Sequence, residues 1–350
     1  MFAWLQRIFS TSTPPPVAAA APAVAPAAPV RLHVAAPVSW MQRSVADYEF
    51  TSWLFAAERH PDLFTNPTED AILAELDAIV HSPQAGAHLV RRMPGVIPQL
   101  LQSLRDPDFS SAELARTIWH DVVLVSEVLR LANSVAYSPG NQITSIDHAI
   151  LMLGQDGLRQ LITSVAFKPI INMKSGSFTR LVAPRLWDQA ERCALAARML
   201  AQDSEVDPLD AFLAGLIHNV GLTVSLRVID RMAEGKQPIG SPTFCNALAA
   251  TGRTLSANIG REWHFPESVT QAVRDVGVAS QTENAPALSP LARVLQLGDY
   301  LSKLDTLRRQ RRIAAGDPRI TDYLSDRELA CMRELAALNE RDRSVALARG

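Results

Sequence analysis

His218 is the side chain in this sequence whose neighbours most demand a chemical explanation. It sits in DPLDAFLAGLIHNVG, Asp207 to Gly221. Asp207 reads as a helix N-cap, Pro208 as the first helical residue, and Asp210 as negative charge in the first turn. Gly221 reads as a left-handed stop. Phe212, Leu213, Leu216, Ile217 and Val220 form a broad apolar face, so this helix is expected inside the protein. His218 follows Ala214 and Gly215 by about one turn and Ala211 by two, on a strip thin enough for another helix to approach closely. An imidazole there can bind a metal, act as a pH- or ligand-operated switch, or be a satisfied core group or helix C-terminal cation. The last is the expectation.

Other reactive groups read more plainly. His120-Asp121 is a literal His-Asp pair, but Asp121 suits the first turn of the helix that continues VVLVSEVL. Asn133 and Ser134 close that helix and are expected to bond nearby backbone. Cys193, Cys245 and Cys331 are far apart, as in a reduced cytoplasmic protein and unlike a disulfide frame or zinc knuckle. The run RRQRR, Arg308 to Arg312, lacks aromatic interleaving and lies near Asp305, Asp317 and Glu328, so a solvated face is expected and nucleic acid is not. No phosphate loop, HExxH, CxxC, GxSxG or dinucleotide fingerprint is present. No cofactor and no metal are therefore expected from motifs.

The elements that must position these groups are helical. Of 350 residues, 47% are hydrophobic but only 6% aromatic, and the formal net charge is −2. Such a balance gives no general pull toward nucleic acid or anionic membrane. Alternating strand patterns and βαβ signals are missing. Residues 1–13 form a short apolar peptide, with Phe2, Leu5 and Phe9 on one helical face. Residues 2–9 are a candidate docking segment for a partner groove or membrane surface, although so short a helix is marginal in water. Residues 14–39 are a Pro/Ala-rich linker, so the N-terminal tail is expected to be disordered.

A helical extension is expected over 40–92, with Ile72, Leu73, Leu76, Ile79 and Val80 as one stripe. Further helices follow to residue 305, among them a small-residue helix near Trp187 with Ala190, Cys193, Ala194, Ala197 and Ala201 along one side. A charged tail, 306–350, carries a last helix near Arg327–Leu338. No uninterrupted apolar run reaches bilayer-spanning length, and the broken start MFAWLQRIF argues against a signal peptide.

The segments MPGVIPQLLQSL, SSAELARTIWHD, VLRLANSVAY, ITSIDHAILMLGQDGLRQLI, AFLAGLIHNVG and REWHFPESV, in this order and spacing, resemble the HDOD family. This is a bacterial signalling branch of the HD superfamily, and the resemblance covers roughly residues 93–305. It implies an all-α, two-lobed helical bundle, with one lobe before Lys174 and a second carrying the HD pocket. It also implies a non-catalytic signalling output or scaffold whose partners are cyclic di-GMP enzymes, sensor kinases or receiver proteins.

HD hydrolases resemble one another in a histidine, a later His-Asp doublet and a final aspartate, which together hold divalent ions for phosphoester hydrolysis. In this sequence the doublet reads His218-Asn219, and a neutral amide cannot bridge two cations. Gln189 or Asp188 stands about where the first histidine belongs, and a later His-His pair is missing. Asp299, in LGDYL, survives and is expected to accept hydrogen bonds between helices. The implied site is a vestigial pocket of Gln189, His218, Asn219 and Asp299. The competing expectations are a metal-dependent phosphohydrolase with an altered ligand set, and a nucleic-acid-associated regulator using the basic tail.

Overall fold

The computed structural model describes residues 38–55, 64–82, 176–202, 204–233, 239–263 and 265–348, with positions 157 and 163 alone and with side chains only to residue 337. The apolar peptide, most of the linker, most of the expected first lobe, His120-Asp121, Asn133 and Ser134 lie outside those residues. Among the described residues every regular element is a helix: α1 (Trp40–Leu54), α2 (Pro67–His81), α3 (Ser177–Ala201), α4 (Pro208–Ile217), α5 (Gly221–Ala233), α6 (Pro242–Glu262), α7 (Glu267–Gln281), α8 (Pro290–Arg309), α9 (Pro318–Thr321) and α10 (Asp326–Ala348).

Local chemistry sets the helix starts. Ser39 and Asn66 form capping boxes with Gln42 and Glu69. Asp207, Ser241 and Ser289 each accept a backbone N–H, and each is followed by proline at the first helical position. Helix α3 begins after Gly176, which has no capping side chain, and Asp230 of α5 does the work from across the bundle. Its carboxylate accepts from Phe178 N at 2.8 Å and from the Thr179 hydroxyl. A negative group at that position also favours the helix dipole.

Helix α3 is packed between α4 and α8; α6 lies against α5 and α7, and α1 and α2 cross α6. One hydrophobic core runs from Phe50 and Ile72 through Phe212 and Phe244 to Leu295. A second gathers Leu200, Leu301, Leu304, Leu307, Ile320, Leu324, Met332 and Leu335. Part of the segment expected as a charged tail is thus folded onto the bundle, and α8 runs through the expected boundary at residue 305 to Arg309. The apolar residues at 307, 313, 320, 324, 332 and 335, spread thinly among charges, are what seat it.

Two readings near His218 are corrected. The helix ends at Ile217, and Gly221 does not stop it but begins α5. Gly221 is needed for close approach: a Cβ there would lie 2.1 Å from the Gly252 carbonyl oxygen on α6. The stretch Pro208–Ala233 is also long and apolar enough by composition to cross a bilayer. It is, however, two helices broken by a turn at residues 218–220 and almost wholly buried in the protein.

Candidate functional site

The site is assembled by two glycines. Gly215 on α4 approaches α3 so closely that a Cβ would lie 2.5 Å from Ala194 Cα. Gly298 on α8 does the same one turn further along, where a Cβ would lie 2.9 Å from Ala197 N. Both helices therefore seat directly on the small-residue face of α3. His218, one turn beyond Gly215, and Asp299, next to Gly298, are brought together across it.

His218 is 1% exposed. Its Nδ1 lies 2.6 Å from the Gly215 carbonyl oxygen and its Nε2 lies 3.1 Å from Asp299 Oδ1. Both neighbours are acceptors, so each can take a hydrogen from the ring. Asp299 also accepts from Gln189 Nε2 at 3.4 Å, from Arg253 Nη2 at 3.1 Å and from Lys303 Nζ at 2.6 Å. Burial works to raise the Asp299 pKa, but Lys303, His218 and Arg253 together hold it well below the usual carboxylate range.

Gln189 is fully buried and anchored by its amide, which donates to the Ser302 hydroxyl at 2.8 Å. Of the two candidates for the first position, Gln189 is the one that faces the pocket. Asp188 points elsewhere, to Arg192 and Arg309. Asn219 lines a cavity of about 20 Å³ with Asp47, Phe50, Leu222, Arg253 and Lys303. That is room for about one water, far below the roughly 300–1,000 Å³ of small-molecule pockets.

Three participants were not anticipated from sequence: Asp47, Arg253 and Lys303. Asp47, on α1, accepts from Lys303 at 2.6 Å and from Arg253 at 3.4 Å, so α1 covers the pocket with a carboxylate. Lys303 stands four residues after Asp299, a spacing that pairs opposite charges on one helix face. Arg253, lone among small residues in ALAATGRTLSANIG, was a weaker sign. Nothing near Asp47 marked it.

A metal pair does not fit this donor set. Ligand atoms of Cys193, His218 and Asp299 do lie within 4.8 Å of one another. Burial, reinforced by Asp299, pushes the Cys193 thiol well above its ordinary value. Both imidazole nitrogens and both Asp299 oxygens are already engaged. The positive charge a divalent ion would bring is supplied by Lys303 and Arg253, which any ion would first have to displace.

Two arginines of the basic run are likewise committed. Arg308 pairs with Asp305 at 2.9 Å, and Arg309 pairs with Asp188.

The network fixes an acid response. For Asp188, burial raises the pKa but Arg192 and Arg309 outweigh it, and Asp299 is lowered further. A carboxylate with a folded-state pKa below its unfolded value of 3.8 stabilises the fold above that value and ceases to as pH falls through the folded one. Thermal melts are therefore expected to stay level down to about pH 5 and to drop steeply below about pH 4. Melting temperatures that rise on acidification would contradict the arrangement.

The family model described as HDOD domain matches residues 90–277. The fold is similar to that of an HDOD domain protein from Geobacter sulfurreducens, with a TM-score of 0.53 and 21% identity, over 81% of this chain and 96% of the other. It is similar also to a Shewanella amazonensis SB2B protein provisionally named a metal-dependent phosphohydrolase, with a TM-score of 0.55 and 20% identity, over 78% of this chain and 99% of that one. An uncharacterized protein of Treponema pallidum is 23% identical over 194 residues, which span 53% of this chain and only 37% of that relative's length. With more than half of its residues matched by the family model and an all-helical fold shared with a solved member, this chain belongs to the HDOD domain family.

Proposed function

We propose that the protein is a non-catalytic signal-transduction module that acts by protein–protein contact, its HD pocket converted from a cation site to an internal salt-bridge cluster. The observation that supports this is the replacement of ions by side chains: Lys303 Nζ and Arg253 Nη2 occupy the coordination sphere of Asp299. A phosphohydrolase needs an ion-activated water and a clamp on the scissile phosphate. This pocket has its carboxylate spent on fixed cations and a cavity the size of one water. The partners proposed are signalling proteins such as sensor kinases, receiver proteins or enzymes of cyclic di-GMP turnover.

The second reading, a phosphohydrolase with an altered ligand set, is favoured by the closeness of Cys193, His218 and Asp299. Metal analysis of gently purified protein, paired with a general phosphodiester assay, separates the two. The module reading expects substoichiometric Mn, Fe and Zn and no turnover above a heat-treated control. A bound ion with activity abolished by His218→Ala would overturn it. The nucleic-acid reading has less support, since Arg308 and Arg309 are paired to acids. A salt-dependent DNA shift lost on substituting Arg308–Arg312 would restore it.

A further inference from the structure

Helix α1 contributes one carboxylate to the pocket, and that carboxylate is the least secured member of the cluster. Asp47 is 21% exposed at its side chain, against 6% for Asp299, 5% for Lys303 and 4% for Arg253. Besides its 2.6 Å pair with Lys303, it engages a single prong of the Arg253 guanidinium, at 3.4 Å. Without Asp47, the cations Arg253 and Lys303, together with the His218 ring, would share Asp299 as their one carboxylate. Such a pocket carries a surplus of positive charge and of hydrogen-bond donors.

Residues that carry unmet donors line the space beside it. A second cavity of about 20 Å³ is lined by residues that include Trp40, Arg43, Asp47, Arg253, Asp299 and Tyr300. Arg253 Nε and the Tyr300 hydroxyl are buried and have no hydrogen-bond partner among the described residues. Arg253 and Tyr300 are each 3% exposed. Burial pushes the Tyr300 pKa up to about 12, so its hydroxyl keeps its proton to donate. Buried donors left unpaired are costly, and a guanidinium edge presenting Nε–H and Nη–H matches two oxygens of one oxyanion.

We propose that the cleft beneath α1 is an oxyanion-binding site that takes the phosphate or carboxylate end of a small ligand in the place held by Asp47. The site rests on the reading above that this pocket holds no metal pair. Neither cavity admits a phosphate group as it stands, so binding requires Asp47 to move aside. Ligand and α1 then compete for the same two cations. Helix α1 lies outside the residues matched by the family model, as do Asp299, Tyr300 and Lys303 of α8, and of the cluster's charged groups only Arg253 and His218 fall within the match.

The test is calorimetric titration of the full chain with inorganic phosphate and, separately, with acetate. Asp47→Asn is expected to bind at least one of them about tenfold more tightly than the unsubstituted protein. Adding Lys303→Met to Asp47→Asn should abolish that gain, and adding Tyr300→Phe should weaken binding severalfold with little effect on helix content by circular dichroism. Tighter phosphate than acetate binding assigns a phosphoryl ligand, and the reverse a carboxylate. The inference is overturned if Asp47→Asn binds neither anion more tightly, or if the Lys303→Met addition leaves binding unchanged. Should Asp47→Asn fail to fold, Tyr300→Phe in the otherwise unsubstituted chain must itself lower anion affinity, or the inference fails. Metal content measured on the same samples keeps the outcomes apart: a stoichiometric ion sinks the module reading, whereas metal-free protein that ignores both anions sinks only the oxyanion site.

Discussion

Asp299→Asn is expected to destabilise the fold by about 3–5 kcal/mol, the loss typical of removing one partner from a buried ion cluster. One carboxylate here receives Lys303, Arg253, His218 and Gln189 at once. An amide offers one acceptor oxygen in place of two and turns an NH2 toward groups that are themselves donors. Lys303 and Arg253 would keep only Asp47 between them, in a region shielded from water. Urea unfolding should show a lower midpoint with little change in slope. Adding Lys303→Met should recover part of the loss, because it removes one of the stranded charges. A midpoint equal to that of the unsubstituted protein would mean that Asp299 does not clamp the bundle.

Gly215→Val is expected to cost about 3 kcal/mol through overpacking. The added carbons would meet backbone, not a flexible side-chain tip: Ala194 Cα and N and the Cys193 carbonyl carbon all lie within 2.8 Å of a Cβ at this position. Helices α3 and α4 would have to separate, drawing His218 away from Asp299. Better helix propensity than glycine returns less than about 1 kcal/mol. Thermal melts of Gly215→Ala and Gly215→Val should show graded losses. A neutral or stabilising Gly215→Val would refute the close packing of α4 on α3.

The sequence made the helical architecture readable because its signals are local. Asp207-Pro208 opens α4 and Ser289-Pro290 opens α8 by capping chemistry that needs no partner. The Ala/Gly strip ahead of His218 likewise foretold a close helix neighbour, and it meets α3. Gly221 was misread because a C-terminal stop and a close-contact glycine look alike until the opposing helix is known. The pocket's cations were hidden for a related reason. Lys303 sits on the same helix as Asp299, but Arg253 and Asp47 reach it from helices distant in sequence. Only the fold makes their charges neighbours. The neutral amide of Asn219 could be read from the sequence, while the pairing of Asp299 with Lys303 and Arg253 could be seen only once assembled.

The contacts that fasten the first two helices have a temporal side. Glu69 of α2 accepts from the backbone of Gly240 and Ser241, and Asp47 of α1 meets Lys303 across 256 positions of chain. At about 5–20 residues per second, a ribosome takes on the order of tens of seconds to make the surfaces on which α1 and α2 come to rest. Among the described residues, the partners that seat both helices are made well after them. A nascent chain therefore spends that interval with Phe50, Leu54 and Ile72 lacking those later core partners, and chaperone dependence during synthesis should exceed that of refolding from the finished polypeptide.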